Sequence, residues 1–525
     1  ARWACGLRLV NKAVAAQFRG PQHTTVRLSQ PVPHFAFAQH AGSEAMRRLT
    51  LRQRRVQLPC LTARSGSIPN LEWLFARGDD FMAPPPVEVL EAAAAAGQME
   101  VCRWLREQGC TPTKGVLVAA AGSGQQAVCE WLLADGCLDD YYCETVAAAA
   151  ARGGHVGLMD WLLLHIADEP DVFHLLQSAA EGCDLPTLQR LHRDHLDSNG
   201  GELPAGFYNG GPYNYIEHFS STVFSRGVAS PTADWQEKLV WLEGRQSVVT
   251  CDGALERADW RSRLEWLQQR GYPLNVHTAA HEAVQLGNVD ALQYLLAEGA
   301  AVPSGPRHPA SAADPRPPWL LSRDLMTLKV LHEYAGNVGM LNALIAAASQ
   351  GCLATVTWLV GVLGADNVLF PELLVAAARS GCFELLAWLH EHGCECNESV
   401  FTAAADAGCE EQIEWLAERG YPMEEDGQPF TQAVLSSDLA TLSCLQRLGC
   451  RMSQEEAAFT SAVEYCALRD IKELGGLRWM LEQGCPVDWT AVEQAAQSIG
   501  SHMGDSGRPN TVLRAWVKEQ RAQRE

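Results

Sequence analysis

MEVCRWLREQGC, residues Met99–Cys110, is the stretch that the rest of the 525-residue chain repeats. Variants return as AVCEWLLADGC (Ala127–Cys137), LEWLQQRGYP (Leu264–Pro273), FELLAWLHEHGC (Phe383–Cys394), IEWLAERGYP (Ile413–Pro422) and LRWMLEQGC (Leu477–Cys485). An alanine-rich segment closed by glycine precedes most copies: LVAAAGSG before Ala127, LLVAAARSG before Phe383, VFTAAADAG before Ile413. The aromatic of each copy falls at Trp104, Trp131, Trp161, Trp241, Trp266, Tyr294, Trp358, Trp388, Trp415 and Trp479. Weaker copies sit at Trp73, Arg190, Val330 and Cys444. Uninterrupted neighbours lie about 25 to 31 residues apart, the period of a solenoid.

On a helix, Met99, Val101, Cys102, Trp104 and Leu105 share one side and Glu100, Arg103 and Glu107 the other. The alanine segment suits an inner helix, because small side chains let a neighbouring backbone approach. Glycine after each helix supplies a left-handed ending and a turn. Each unit therefore reads as a helical hairpin, and such a hairpin cannot bury its apolar stripe alone. Its tryptophan can remove roughly 150–250 Å² from water, on the order of 4–6 kcal/mol as an upper bound, once the next hairpin stacks on it. The expected fold is all-α: a curved stack of about thirteen or fourteen such hairpins behind a short basic N-terminal module.

Residues 1–56 lack the repeat and form that module. Residues 57–300 read as a first array, with an insertion near 197–215 rich in Gly, Asn and Tyr. Residues 301–318 are a proline-rich insertion, and 319–525 are a second array with a C-terminal cap. In that cap RPNTVLRAWVKEQRAQRE reads as a closing helix with Trp516 inward. Either insertion is a tolerated surface loop or a projection used in binding.

The net charge of −21 is uneven: residues 1–69 hold eleven Lys/Arg and one acid, so the remainder is more acidic than the total. An acidic body does not suit binding to a nucleic-acid backbone, and nucleic acid is expected as a partner only through residues 1–69. The densest basic patch is Arg47, Arg48, Arg52, Arg54 and Arg55. It reads as a solvated basic helix or strand, or as a contact for phosphate or an acidic partner. No apolar run approaches the length of a membrane span.

The 18 cysteines follow the repeat. Cys110, Cys137, Cys394, Cys450 and Cys485 follow the glycine of the aromatic segment; Cys183, Cys352, Cys382 and Cys409 follow that of the alanine segment. A residue recurring once per unit fills a packing niche, so a reducing, cytoplasmic compartment is expected rather than a disulfide scaffold. Residue 1 is alanine; the natural start is expected to lie upstream, which leaves organelle import open.

Motifs with chemical overtones fail on context. His192-Arg193-Asp194 with Asn199 has kinase catalytic-loop spacing, but no Gly-rich loop, strand lysine or Asp-Phe-Gly accompanies it. Gly504-Asp505-Ser506-Gly507 echoes a protease nucleophile loop without a histidine base or oxyanion hole to serve it. Gly122-Ser123-Gly124 with Ala127 follows a helix rather than a strand. His390, His392, Cys394 and Cys396 crowd one helix end, whereas zinc usually takes ligand pairs from separate segments. No catalytic residue, metal or cofactor is expected.

The order Ala-Ala-x-x-Gly, short linker, amphipathic helix, Gly-Cys/Ala resembles ankyrin repeats from about Pro59 to the C-terminus. Gly153–His165 and Gly287–Ala300 come nearest to the usual pattern. The usual Thr-Pro-Leu-His opening is absent and tryptophan stands where leucine is usual, features similar to divergent ankyrin-like proteins of green algae and other protists. Cys5–Phe18 also resembles the second half of an F-box helix bundle; an amphipathic capping helix is the other reading. The ankyrin resemblance implies a non-catalytic scaffold that grips a partner protein through a concave face and inter-repeat fingers. Finger residues that array packing does not require are the candidate contacts: Tyr141, Tyr142, Tyr272, Tyr421, Phe430 and Trp489. The F-box resemblance implies docking to a cullin-type ubiquitin ligase adaptor. A third reading is a structural subunit of a ribonucleoprotein or other large assembly.

Overall fold

The alanine and aromatic segments are helices, and in many repeats the glycine turn that joins them is closed in the same way. Val87–Ala95 runs into Met99–Glu107 through Gly97, whose φ is +69°. The Gly97 N–H donates to Ala94 O and the Gln98 N–H to Ala93 O, both at 3.0 Å, a paired closure that satisfies the last carbonyls of the inner helix. The aromatic helices end likewise: the residue after the glycine donates its N–H back to the residue after the aromatic. Cys110 bonds Leu105 O, Tyr272 Leu267 O, Cys394 Leu389 O and Cys450 Leu445 O. This closure brings an apolar contact between its two ends, which is why Cys or Tyr recurs after the glycine.

The computed structural model describes residues 28, 30–76, 84–134, 144–165, 171–196, 215–244, 251, 253–300, 324–337, 339–423, 427–450, 456–468, 474–497 and 510–524. Among them the secondary structure is helical throughout, and the chain is an all-α helical-repeat array. It forms two compact units: Ala1–Pro31, Cys60–Ile68 and Pro84–Met340, and Val32–Pro59, Pro69–Ala83 and Leu341–Glu525. In the first, Val87–Ala95, Lys114–Gly122, Glu144–Arg152, Val172–Gly182 and Tyr215–Val228 pack in succession as inner helices, each against its own outer partner. In the second, Pro371–Ser380, Ser399–Ala407, Gln428–Leu435, Glu456–Leu468 and Trp489–Ala495 do the same.

The burial pattern corrects one expectation. Most of the indoles are only half-buried, while the leucine immediately after the aromatic is sealed: Leu105, Leu132, Leu162, Leu267, Leu359, Leu389 and Leu416 are each at most 1% exposed. A ring on the flank of an outer helix reaches sideways to its neighbours, as in Trp235 against Trp266 (centroids 5.1 Å apart) and Phe383 against Trp415 (5.8 Å). The leucine points between the two helices of its own hairpin. The full burial energy assigned to the indoles above is thus shared with this leucine column.

Close approach of inner helices explains their small residues. A Cβ on Gly182 would collide with the carbonyl oxygens of Ala151 and Arg152 on the preceding inner helix. Those atoms are backbone and cannot swing aside, so Gly182→Ala is expected to destabilise the array by about 3 kcal/mol, the upper part of the overpacking range. Urea unfolding followed by circular dichroism checks this.

Candidate interaction site

Outer helices carry a series of rings capped by arginines. The Arg270 guanidinium lies 5.1 Å from the Trp266 ring centroid, Arg419 4.0 Å from Trp415, and Arg261 5.3 Å from Trp260 and 5.6 Å from Tyr294. Arg261, Arg270 and Arg419 are exposed. Arg261 bridges rings of two successive repeats, and Arg270 is also held by Glu243 of the preceding repeat at 2.9 Å, so a cationic plane over an aromatic ring is presented at a fixed place on the helix.

The finger residues are more deeply placed than their sequence positions suggested. Tyr272 is 6% exposed; its hydroxyl donates to Glu243 at 2.9 Å and its ring packs on Phe224 and Trp266. Tyr421 is 8% exposed, with its hydroxyl 2.6 Å from His390 Nδ1; burial, then the nearby Cys396 and Cys394, pushes the phenol up to about 12. Phe430 is buried and stacks on Trp479, and Trp489 is half-buried against Phe459. These four rings join neighbouring repeats to each other. Tyr141 and Tyr142 lie outside the described residues.

The basic patch departs from the reading of a solvated element. Arg52 is exposed, but Arg54 and Arg55 are 1% and 7% exposed. Thr50 and Gln53 cap the start of their helix reciprocally, Thr50 N–H to Gln53 Oε1 at 2.8 Å and Gln53 N–H to Thr50 Oγ1 at 3.2 Å. Residues Gln53–Gln57 then form a π-helical turn. Arg54 reaches Asp438 at 3.0 Å and Gly408 O at 2.8 Å; Arg55 donates to Ser436 O at 2.7 Å and Ser437 O at 2.6 Å. Arg47 pairs with Glu410 and Glu414, and Arg48 with Glu411. Arg47 and Arg48 thus meet the chain's own acidic helix Glu410–Glu418, while Arg54 and Arg55 meet its repeat turns and Asp438.

Sequence reasoning missed a column of buried polar residues three places before each aromatic. It holds Val101, Val128 and Leu385 in some repeats but Asn70, Lys238, Arg263, Thr355 and Gln412 in others, all buried. Lys238, fully buried, donates to Ala180 O (3.0 Å), Cys183 O (2.6 Å) and Ser230 Oγ (2.7 Å), and Arg263 donates to Val228 O. Both place a cation on the carbonyl end of an inner helix, where the helix dipole is negative. The three copies without an aromatic share another device. Asp184, Asp324 and Asp438 cap their helices by accepting from the N–H of Thr187, Thr327 and Thr441 in this same column. A charged residue where its repeats otherwise carry Val or Leu was the available signal.

The other motifs resolve into packing. His390 faces Tyr421, His392 stacks on Trp388, and Cys394 Sγ donates to Phe370 O at 3.4 Å, so these groups diverge. His192 packs edge-on against Trp241 on a repeat helix, and Gly122 and Gly124 lie at an ordinary repeat turn. Asn199 and residues 504–507 lie outside the described residues, as does Cys5–Phe18. Burial raises the thiols of Cys110, Cys129, Cys183, Cys409 and Cys466 to about 11 and of Cys102 to about 12. Because the folded chain then holds protons that the unfolded thiols release near 9, stability is expected to fall as pH rises from 9 to 11. Urea midpoints at pH 8 and 10 test this. In native labelling with an alkylating reagent, the exposed Cys396 should react well before any of these six.

Repeated hairpins, sealed leucines and ring-borne arginines define a helical-repeat protein. No protein-family model and no curated protein matches the chain. Among solved structures it is similar to the pentatricopeptide repeat protein PPR10 from maize, at 12% identity and TM-score 0.24, over 93% of this chain and 83% of that one. PPR10 in complex with an 18-nt psaJ RNA element matches at 12% identity and TM-score 0.23, over 89% and 73%. The similarity is to helical repeats in general, and neither an ankyrin identity, an F-box nor a green-algal type is supported by it. The expectation that nucleic acid is an unsuitable partner beyond residues 1–69 is overturned, since a matched repeat protein is solved with RNA bound.

Proposed function

We propose that the protein is a non-catalytic binding scaffold within a ribonucleoprotein or comparable large assembly, touching single-stranded RNA by stacking. The observation that supports this is the pair of exposed arginines in the first unit, Arg261 and Arg270, lying over outer-helix rings at Trp260, Tyr294 and Trp266. Unpaired bases stack on aromatic rings and on guanidinium planes, and such stacking tolerates any sequence. A net charge of −21 means that little of the affinity comes from phosphate neutralisation.

The test is retention of labelled single-stranded RNA by the full-length chain across a salt series. The expected result is binding with a shallow salt slope, weakened about tenfold by Arg261→Ala combined with Arg270→Ala. No retention at any salt, or retention indifferent to those arginines, would sink the reading. A second reading, a scaffold whose partner is a protein, is favoured by one observation: the second unit already carries a peptide segment, Arg47–Arg55, across its repeats. Capture of a protein without RNA would favour it.

A further inference from the structure

The segment around Arg47–Arg55 contacts three successive repeat turns of the second unit. Thr50 lies against Gly381, where a Cβ would strike its Cγ2. Leu51 lies against Gly408, its Cβ 2.8 Å from where a glycine Cβ would stand. Arg54 and Arg55 take the carbonyls of Gly408, Ser436 and Ser437 and the carboxylate of Asp438. Alongside, the helix Glu410–Glu418 offers Glu410, Glu411 and Glu414 to Arg47 and Arg48, and the Cys409 thiol meets Arg47 O at 3.7 Å. From Leu51 the segment is helical, and one or two of its residues meet each successive repeat turn.

Three features of this seat go beyond simple packing. The arginines reach it through a π-helical turn, a rare backbone form that sets Arg54 and Arg55 side by side against the array. Beneath Arg55, Ser437 adopts φ +50°, the single non-glycine residue of positive φ among the described residues. Beside Arg47 and Arg48 a partly open cavity of about 230 Å³ remains, lined also by Phe383, Glu411, Glu414, Trp415 and Glu418. Arg48 is 61% exposed there, so the resident segment leaves an acidic, ring-lined space incompletely filled.

We propose that this row of turns, with the acidic helix Glu410–Glu418, is a docking site for an arginine-bearing peptide segment of a partner protein. The chain's own Arg47–Arg55 is its resting occupant. The chemistry admitted is guanidinium rather than ammonium, because Arg55 spreads two nitrogens over two successive carbonyls, Nη1 on Ser436 O and Nη2 on Ser437 O, a reach that the planar fork has and a single ammonium nitrogen does not. The tether gives the resident segment an effective concentration in the millimolar range, so an incoming segment must match that or carry contacts in the cavity. This proposal is independent of the RNA reading.

The experiment uses the full-length chain and a fluorescent peptide copying residues 43–60. With the resident arginines removed by Arg54→Ala and Arg55→Ala, the peptide is expected to bind at least tenfold more tightly than to the unaltered chain. It should lose at least tenfold when its arginines are replaced by lysines or when Asp438→Asn is added. Equal binding in any of these comparisons overturns the proposal. If the altered chain does not fold, hydrogen exchange on the unaltered chain decides: millimolar arginine peptide should speed exchange of the amides of Thr50–Leu58, and unchanged exchange overturns the proposal.

Discussion

Arg54→Met is expected to lower the unfolding free energy by about 3–5 kcal/mol, the cost of stranding one partner of a buried ion pair. The side chains of Arg54 and Asp438 are 1% and 0% exposed, and 3.0 Å separates their nearest atoms. Without the guanidinium, Asp438 keeps only local donors, the Thr441 N–H at 3.3 Å and the Thr441 hydroxyl at 2.7 Å, for a charge that water does not reach. Gly408 O loses its donor as well. Adding Asp438→Asn should recover much of the loss, since asparagine still caps the helix Leu439–Arg447 and no longer carries a charge. Arg48→Ala, at the more exposed pair with Glu411, should change stability by about 0–1 kcal/mol and do so only at low salt. Urea unfolding of the four chains at two ionic strengths separates these outcomes. A loss at Arg54 as small and as salt-dependent as that at Arg48 would contradict the buried pair.

Lys238→Met comes second. Its ammonium satisfies Ala180 O and Cys183 O at the end of the helix Val172–Gly182, together with Ser230 Oγ. Methionine matches the volume and leaves both carbonyls without that donor; at roughly 1–3 kcal/mol for each orphaned group, about 3–5 kcal/mol should be lost. The pH dependence has a definite sign. Burial draws the Lys238 ammonium down to about 8 in the folded chain, while the unfolded chain holds that proton to its ordinary value of 10.5. Between these limits the unfolded state binds more protons, so this group's contribution rises with pH and is lost as pH falls through 8. The gap between the original chain and Lys238→Met should therefore widen from pH 8 to pH 10.5, against the opposite trend set by the cysteines, which both chains share apart from Cys183, whose thiol the Lys238 charge lowers. A gap that narrows would mean the amine is charged throughout that range in the folded chain.

Much of this architecture is local and was therefore legible. The period of the aromatic, the glycine turns and the cysteine after them are each set by one hairpin's hydrogen bonds: Cys110 N–H finds Leu105 O whatever the rest of the chain does. The Thr50-x-x-Gln53 capping box and the Asp-x-x-Thr caps are equally local, yet the repeat pattern does not single them out. The candidate site was less accessible. Tyr272, Tyr421 and Phe430 looked like free finger residues because the repeat does not require them, yet each packs against a ring of a neighbouring repeat or its own helix. Their burial depends in part on distant side chains, Phe224, His390 and Trp479, beyond any reading of a single unit.

By itself, then, the amino-acid order determined the hairpin, its helical boundaries and the fact that hairpins must stack, since an amphipathic helix with a closed turn leaves an apolar stripe to be covered. Only the tertiary structure decided what becomes of its charges. Arg54 and Asp438 are 384 positions apart, and Lys238 meets carbonyls 55 and 58 positions before it. A charge in sequence carries no mark of whether water will surround it. That depends on which helix ends approach it, and the approach exists only once the repeats have closed on one another.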